Sequence, residues 1–101
     1  MARWHRVPLA ALGRDGRAVV TVAGDEIAVF KVGDSVYALA NACPHEGNPL
    51  IHGEIAGLTL TCAYHLWRFD LETGACVSGD EPTRRYSAEV RGDEIWIDVT
   101  E

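Results

Sequence analysis

Two short Cys/His pairs constrain this chain more than anything else in it. They are Cys43-Pro44-His45 and Cys62-Ala63-Tyr64-His65, with sixteen residues between His45 and Cys62. Each pair offers one thiolate and one imidazole. A mononuclear zinc site can be built from two Cys and two His, but zinc motifs usually keep like ligands together, Cys with Cys and His with His. Here both pairs mix the two types. Mixing suits a centre with two inequivalent metal atoms: each loop can give its Cys to one iron and its His to the other, so that two loops over a [2Fe–2S] core supply Cys₂ and His₂. Zinc stays open as the alternative.

Bulk properties narrow the setting. The 101 residues suffice for one domain with a modest core, expected to span 1–101. No apolar run approaches the length of a membrane span, and no apolar segment follows Met1-Ala2-Arg3-Trp4-His5-Arg6 to make a signal peptide. A cytoplasmic protein is expected. The chain has 3 cysteines; with two given to metal, Cys76 has no partner left for an intramolecular disulfide. The net charge of −6 argues against nucleic acid, whose phosphates need a basic surface. Acidity would steer the protein toward basic patches on its partners, or simply keep it dispersed in solution.

The rest of the chain reads as mainly β. Trp4–Val7, Arg17–Val22, Glu26–Lys31 and Ser35–Leu39 are β-rich runs punctuated by a Pro8–Gly16 connector and by turn candidates at Gly24-Asp25 and Gly33-Asp34. Leu9–Leu12 can form one helical turn. Alternation aims Val20, Val22, Ile27, Val29, Val36 and Ala38, or their neighbours, at a core. After the first Cys/His pair, Gly53–Ile55 and Leu58–Thr61 form a small hairpin across Ala56-Gly57 that delivers Cys62. His65–Asp70 is a further strand, turned by Glu72-Thr73-Gly74 into Ala75–Val77. Ser78–Thr83 is a loop containing Pro82, and Arg85–Val90 and Glu94–Val99 close the chain as a hairpin around Gly92-Asp93.

C-x-H, sixteen residues, then C-x-x-H resembles the signature of Rieske iron–sulfur proteins. The flanks, Cys43-Pro44-His45-Glu46-Gly47-Asn48-Pro49-Leu50 and Cys62-Ala63-Tyr64-His65-Leu66-Trp67-Arg68-Phe69, are similar to the cluster loops of small Rieske ferredoxins. These serve toluene-type multicomponent monooxygenases and ring-hydroxylating dioxygenases, and the likeness runs from about Val36 to Val99. The resemblance implies a Rieske-like fold of antiparallel sheets, with a cluster-binding subdomain at about 42–80 inserted in a larger β base. It implies one [2Fe–2S] cluster per chain, with Cys43 and Cys62 on the inner iron and His45 and His65 on the outer one. It further implies a monomeric one-electron carrier, not an enzyme. Such a carrier would dock transiently, through the cluster tip, with a flavin-dependent reductase and a terminal oxygenase, and with neither membrane nor nucleic acid. Gly79-Asp80-Glu81-Pro82 matches a loop that shields the cluster in that family.

Departures from the pattern carry information too. High-potential, membrane-complex relatives carry an extra cysteine in each loop, where this chain has Asn48 and Tyr64. They also place Gly-Ser after the second His, where this chain has Leu66-Trp67. Fewer hydrogen bonds to the sulfurs lower the potential, so the resemblance is to the low-potential branch. Cys43-Pro44-His45, Pro49-Leu50 and Phe69-Asp70-Leu71-Glu72-Thr73-Gly74 are also similar to the Rieske-like small subunit of assimilatory nitrite reductase, a fixed subunit and not a free carrier. A third reading is a zinc-stabilised binding module. Cys76 is expected to be a small buried apolar residue, His5 and His52 exposed, and Trp67 and Phe69 core aromatics with Trp67 also able to flank the cluster.

Overall fold

The computed structural model describes residues 3–22, 24–42, 49–63, 67–76 and 83–99. Its elements run β1 (Trp4–Pro8), a 3₁₀ turn (Leu9–Ala11), β2 (Arg17–Val22), β3 (Asp25–Val32), β4 (Ser35–Ala40), a second 3₁₀ turn (Leu50–His52), β5 (Glu54–Ala56), β6 (Thr59–Thr61), β7 (Arg68–Asp70), β8 (Arg85–Tyr86), β9 (Ala88–Arg91) and β10 (Glu94–Asp98). Three antiparallel sheets result, in the orders β1-β10-β9, β2-β3-β4-β8 and β5-β6-β7. Fold class therefore agrees with the expectation from sequence. Among the described residues no helix is long and apolar enough to cross a membrane.

The four-stranded sheet is the middle layer, and its strands explain why. In β3 the run Ile27, Ala28, Val29, Phe30 is buried on both faces, as expected of a central strand covered on two sides. Period-2 alternation divides it between two cores. Ile27 and Val29 join Val36, Ala38, Tyr86, Ile95 and Ile97 in a base core against the β1-β10-β9 sheet. Ala28 and Phe30 join Leu39, Leu50, Leu60, Cys62, Phe69 and Leu71 in a junction core against the small β5-β6-β7 sheet. Alternation read from sequence placed the base-core set correctly, with Val20 and Val22 packed against it; the second buried face doubles that assignment. Each fully buried Leu, Ile or Phe here contributes about 1.5–3 kcal/mol of transfer free energy.

The small sheet lies, in sequence, between β4 and β8, which are neighbours in the middle sheet (Ala38 opposite Tyr86, Leu39 opposite Arg85). Whatever leaves β4 at Ala40 thus returns beside it at Arg84, where the Ala40 N–H donates to the Arg84 carbonyl at 2.8 Å. The insertion is held at its two feet.

Several expectations from sequence need correction. The run Arg85–Val90 is two strands, because the chain changes sheets at Ser87: β8 pairs with β4, and β9 pairs with β10. Asp25 belongs to β3, opposite Val22, and the β5–β6 turn falls at Gly57-Leu58 because Ala56 already pairs with Thr59. The strand placed at His65–Asp70 is Arg68–Asp70 in its described part, and 65–66 lie outside the described residues. Ala75–Val77 is, in its described part, an isolated bridge of Cys76 to Phe69, with the Ala75 carbonyl accepting the Asp70 N–H at 2.9 Å; 77 lies outside the described residues.

Candidate metal centre

Cys62 follows the last residue of β6 and is fully buried, packed in the junction core with Leu50, Leu60 and Phe69. Its backbone N–H donates to the Trp67 carbonyl at 2.7 Å, so the chain that leaves β6 comes back within five residues. The other three candidate ligands, Cys43, His45 and His65, lie outside the described residues. So do Pro44, Glu46, Gly47, Asn48, Tyr64, Leu66 and the stretch 77–82 that includes Pro82.

What the structure does place are the feet of these three stretches, and they converge. Ala42, at the start of the first, offers its carbonyl to the Thr83 hydroxyl at 3.5 Å; Thr83 is the residue that follows the third. The Thr83 N–H in turn donates to the Gly74 carbonyl at 2.9 Å. Leu50, just past the end of the first stretch, shares the junction core with Cys62, and Trp67 and Cys76 pack against that same core. The flanks of the second Cys/His loop thus meet at the Thr61–Arg68 end of the small sheet, with Leu50 in the same core, while Thr83 ties the foot of the first loop to Gly74 in the turn beyond Asp70.

Two side chains that local pattern does not single out hold this end together. Asn41, buried, accepts the Ile51 N–H on Oδ1 at 2.8 Å and donates from Nδ2 to Oε1 of Glu26 at 3.1 Å. Arg17, from β2, donates from Nη1 to the carbonyls of Ile51 (2.8 Å) and Gly53 (2.7 Å), with its guanidinium over the Phe30 ring. The signal that could have found them is weak: a polar residue ending an apolar strand, and an arginine opening another. Their partners lie 10, 15, 34 and 36 residues away.

The remaining candidates fall as follows. Phe69 is fully buried, and Trp67 is half-buried against the junction core. Cys76 is half-buried, not fully buried, and packs against the junction core beside Phe69, its bridge partner. His52 is exposed and lines, with Gly53, Glu54, Thr61, Cys62 and Ala63, a concavity of about 350 Å³ beside the second loop. His5 is half-buried opposite Ile97, a departure from its expected exposure. Trp4 and Trp96 pair on the outer face of the base sheet, centroids 6.1 Å apart, with the Arg91 guanidinium 4.1 Å over Trp96.

The donor set fits an iron–sulfur centre. Cys62 lies at a strand end with apolar residues on its inner side, and such a shell keeps water from a redox centre. Two loops with a mixed Cys/His donor set, anchored at one end of a three-sheet β scaffold, define a small iron–sulfur protein of the electron-transfer class. The profile of the Rieske [2Fe-2S] domain matches residues 4–91, and the chain belongs to that family.

Its relatives share nearly the whole length. The anthranilate 1,2-dioxygenase ferredoxin subunit of Burkholderia cepacia is 31% identical, covering 98% of this chain and 94% of that protein. The ferredoxin of carbazole 1,9a-dioxygenase from Nocardioides aromaticivorans IC177 superimposes with a TM-score of 0.82 at 35% identity, over 93% of this chain and 94% of that one. A protein described as the small subunit of an NADH-dependent nitrite reductase from Mycobacterium tuberculosis reaches a TM-score of 0.89 over 100% of this chain and 98% of that one. Its identity is 20%, so it shows the fold alone.

Proposed function

We propose that this chain is the Rieske ferredoxin of a bacterial oxygenase system, a one-electron carrier that takes electrons from a flavin-dependent reductase and delivers them to a terminal oxygenase. Cys43, His45, Cys62 and His65 hold one [2Fe–2S] cluster per chain, the two cysteines on the inner iron and the two histidines on the outer. When bound, the cluster supplies a one-electron redox couple. The protein's own work is to hold the four donors, to exclude water on the inner side through Leu50, Leu60 and Phe69, and to present the histidine side to a partner. No group of this chain need act on an organic substrate; it is an electron-transfer component. We place it in the cytoplasm as a monomer.

The observation that carries this reading is the sequence likeness to dioxygenase ferredoxins across nearly the full length of both proteins. A fixed subunit of a nitrite reductase is the second reading, favoured by shape at an identity that carries no function. Gel filtration of the native extract separates the two. A free carrier elutes alone near 11.0 kDa and, once chemically reduced, passes its electron to an added oxygenase. Co-elution with a large reductase through every step would replace the carrier by the subunit.

A further inference from the structure

We infer that Asn41 and Arg17 are positioning residues that grip the backbone of Ile51 from both sides and so set the spacing between the two Cys/His loops; this rests on the four-ligand reading above. The Ile51 N–H is taken by Asn41 Oδ1 and the Ile51 carbonyl by Arg17 Nη1, which also takes the carbonyl of Gly53. Each holder is itself located. The Asn41 N–H donates to the Glu26 carbonyl at 2.9 Å and its Nδ2 to the Glu26 carboxylate, while the Arg17 guanidinium lies 5.3 Å over Phe30 of the junction core.

The gripped segment, Leu50 to Gly53, is the link between the loop of Cys43 and His45 and the hairpin that leads to Cys62. It lies hard against that hairpin. A Cβ on Gly53 would stand 2.6 Å from the Thr61 carbonyl oxygen and 2.7 Å from Cδ1 of Leu60. Thr61 is the residue before Cys62. A shift of the link is therefore passed, through backbone contact, to a ligand-bearing position on one side and to the end of the first loop on the other. Arg17 opens β2 and Asn41 directly follows β4, hydrogen-bonded to Glu26 of β3, so the two tie the link to the middle sheet. Neither donates to metal.

The test uses holoprotein carrying Asn41→Ala, Arg17→Met, or both, with two readouts: the half-time of iron release to a chelator and the electron paramagnetic resonance spectrum of the reduced protein. Asn41→Ala removes one part-buried hydrogen bond to the link and Arg17→Met two, and each should shorten the half-time about tenfold or more, with broadened or shifted resonance lines. The double variant should fall well short of the product of the single effects, since both residues hold one backbone segment. The paired substitution Asn41→Asp with Glu26→Gln keeps the acceptor for Ile51 and reverses the hydrogen bond between positions 41 and 26. It should restore the wild-type half-time and spectrum, and it stands in if Asn41→Ala fails to accumulate. Single variants with wild-type half-time and spectrum, or a paired variant that stays as impaired as Asn41→Ala, would overturn the proposal while leaving the ligand reading intact. A wild-type protein without iron and sulfide would fail the ligand reading itself, and the proposal with it.

Discussion

Thr83 donates its N–H to the carbonyl of Gly74 at 2.9 Å, and the two backbones lie so close that a Cβ on Gly74 would stand 2.6 Å from the Thr83 carbonyl oxygen. Gly74 also has φ +77°, a conformation that side chains disfavour. Gly57 has φ +63° in the β5–β6 turn, with nothing within 4 Å of its would-be Cβ. The pair separates two effects. Gly57→Ala should cost about 1–2 kcal/mol, the strain alone. Gly74→Ala should cost about 1–3 kcal/mol more, from overpacking against Thr83. Urea unfolding of both variants under identical conditions checks the order; equal losses would mean that the close approach is absent.

The two cores should respond differently. Leu60 and Ile95 are both fully buried, Leu60 in the junction core with Cys62 and Ile95 in the base core. Alanine at either should destabilise by about 2–5 kcal/mol. Leu60→Ala should also speed cluster loss at temperatures where the protein stays folded, since it opens a void beside Cys62, the proposed ligand. Ile95→Ala should leave the folded-state loss rate at the wild-type value. Iron-release kinetics well below each variant's melting temperature make the comparison.

The strands, their alternation and the family were legible in the sequence because each rests on a local pattern. Ile27 and Val29 alternate in plain view, and within each Cys/His pair the two residues stand two or three positions apart. What was not legible is what depends on partners far along the chain. Nothing in Arg85-Tyr86-Ser87-Ala88 announces that Ser87 ends one sheet and begins another; that follows from which strands lie opposite. Arg17 looks like an ordinary strand-opening arginine until its carbonyl partners at Ile51 and Gly53 are seen. The 3₁₀ turn at Leu50–His52 was hidden for a related reason: no period is visible in three residues, and the turn is held by Asn41 and Arg17 from outside it.

A low reduction potential follows from the residues after His65. With Leu66-Trp67 in place of Gly-Ser, no hydroxyl from those positions is available to stabilise the added charge of the reduced state. The potential should lie near the low end of the Rieske range, roughly −150 to −50 mV. Protein-film voltammetry giving a value above about +100 mV would contradict the hydrogen-bond account.

The potential should also depend on pH in one direction. A histidine bound to iron through one nitrogen keeps the N–H on the other, and ferric iron acidifies that proton by withdrawing charge. If His45 and His65 hold the outer iron as proposed, their protons should be lost at lower pH in the oxidised form than in the reduced form. Between those two values the reduced form binds more protons, so reduction takes up a proton and the potential falls as pH rises; below both it is flat. Voltammetry from neutral to strongly alkaline pH should show a plateau followed by a decline. A constant potential across that range would remove histidine from the redox-active iron.

The central claim, that Cys43, His45, Cys62 and His65 together hold a [2Fe–2S] cluster, is tested most directly by iron and acid-labile sulfide analysis of the purified protein, with zinc measured on the same sample. The account predicts a reddish-brown protein with about two iron and about two sulfide per chain, and loss of both on replacing any one of the four residues by alanine. A colourless protein with one tightly bound zinc and no sulfide would contradict it.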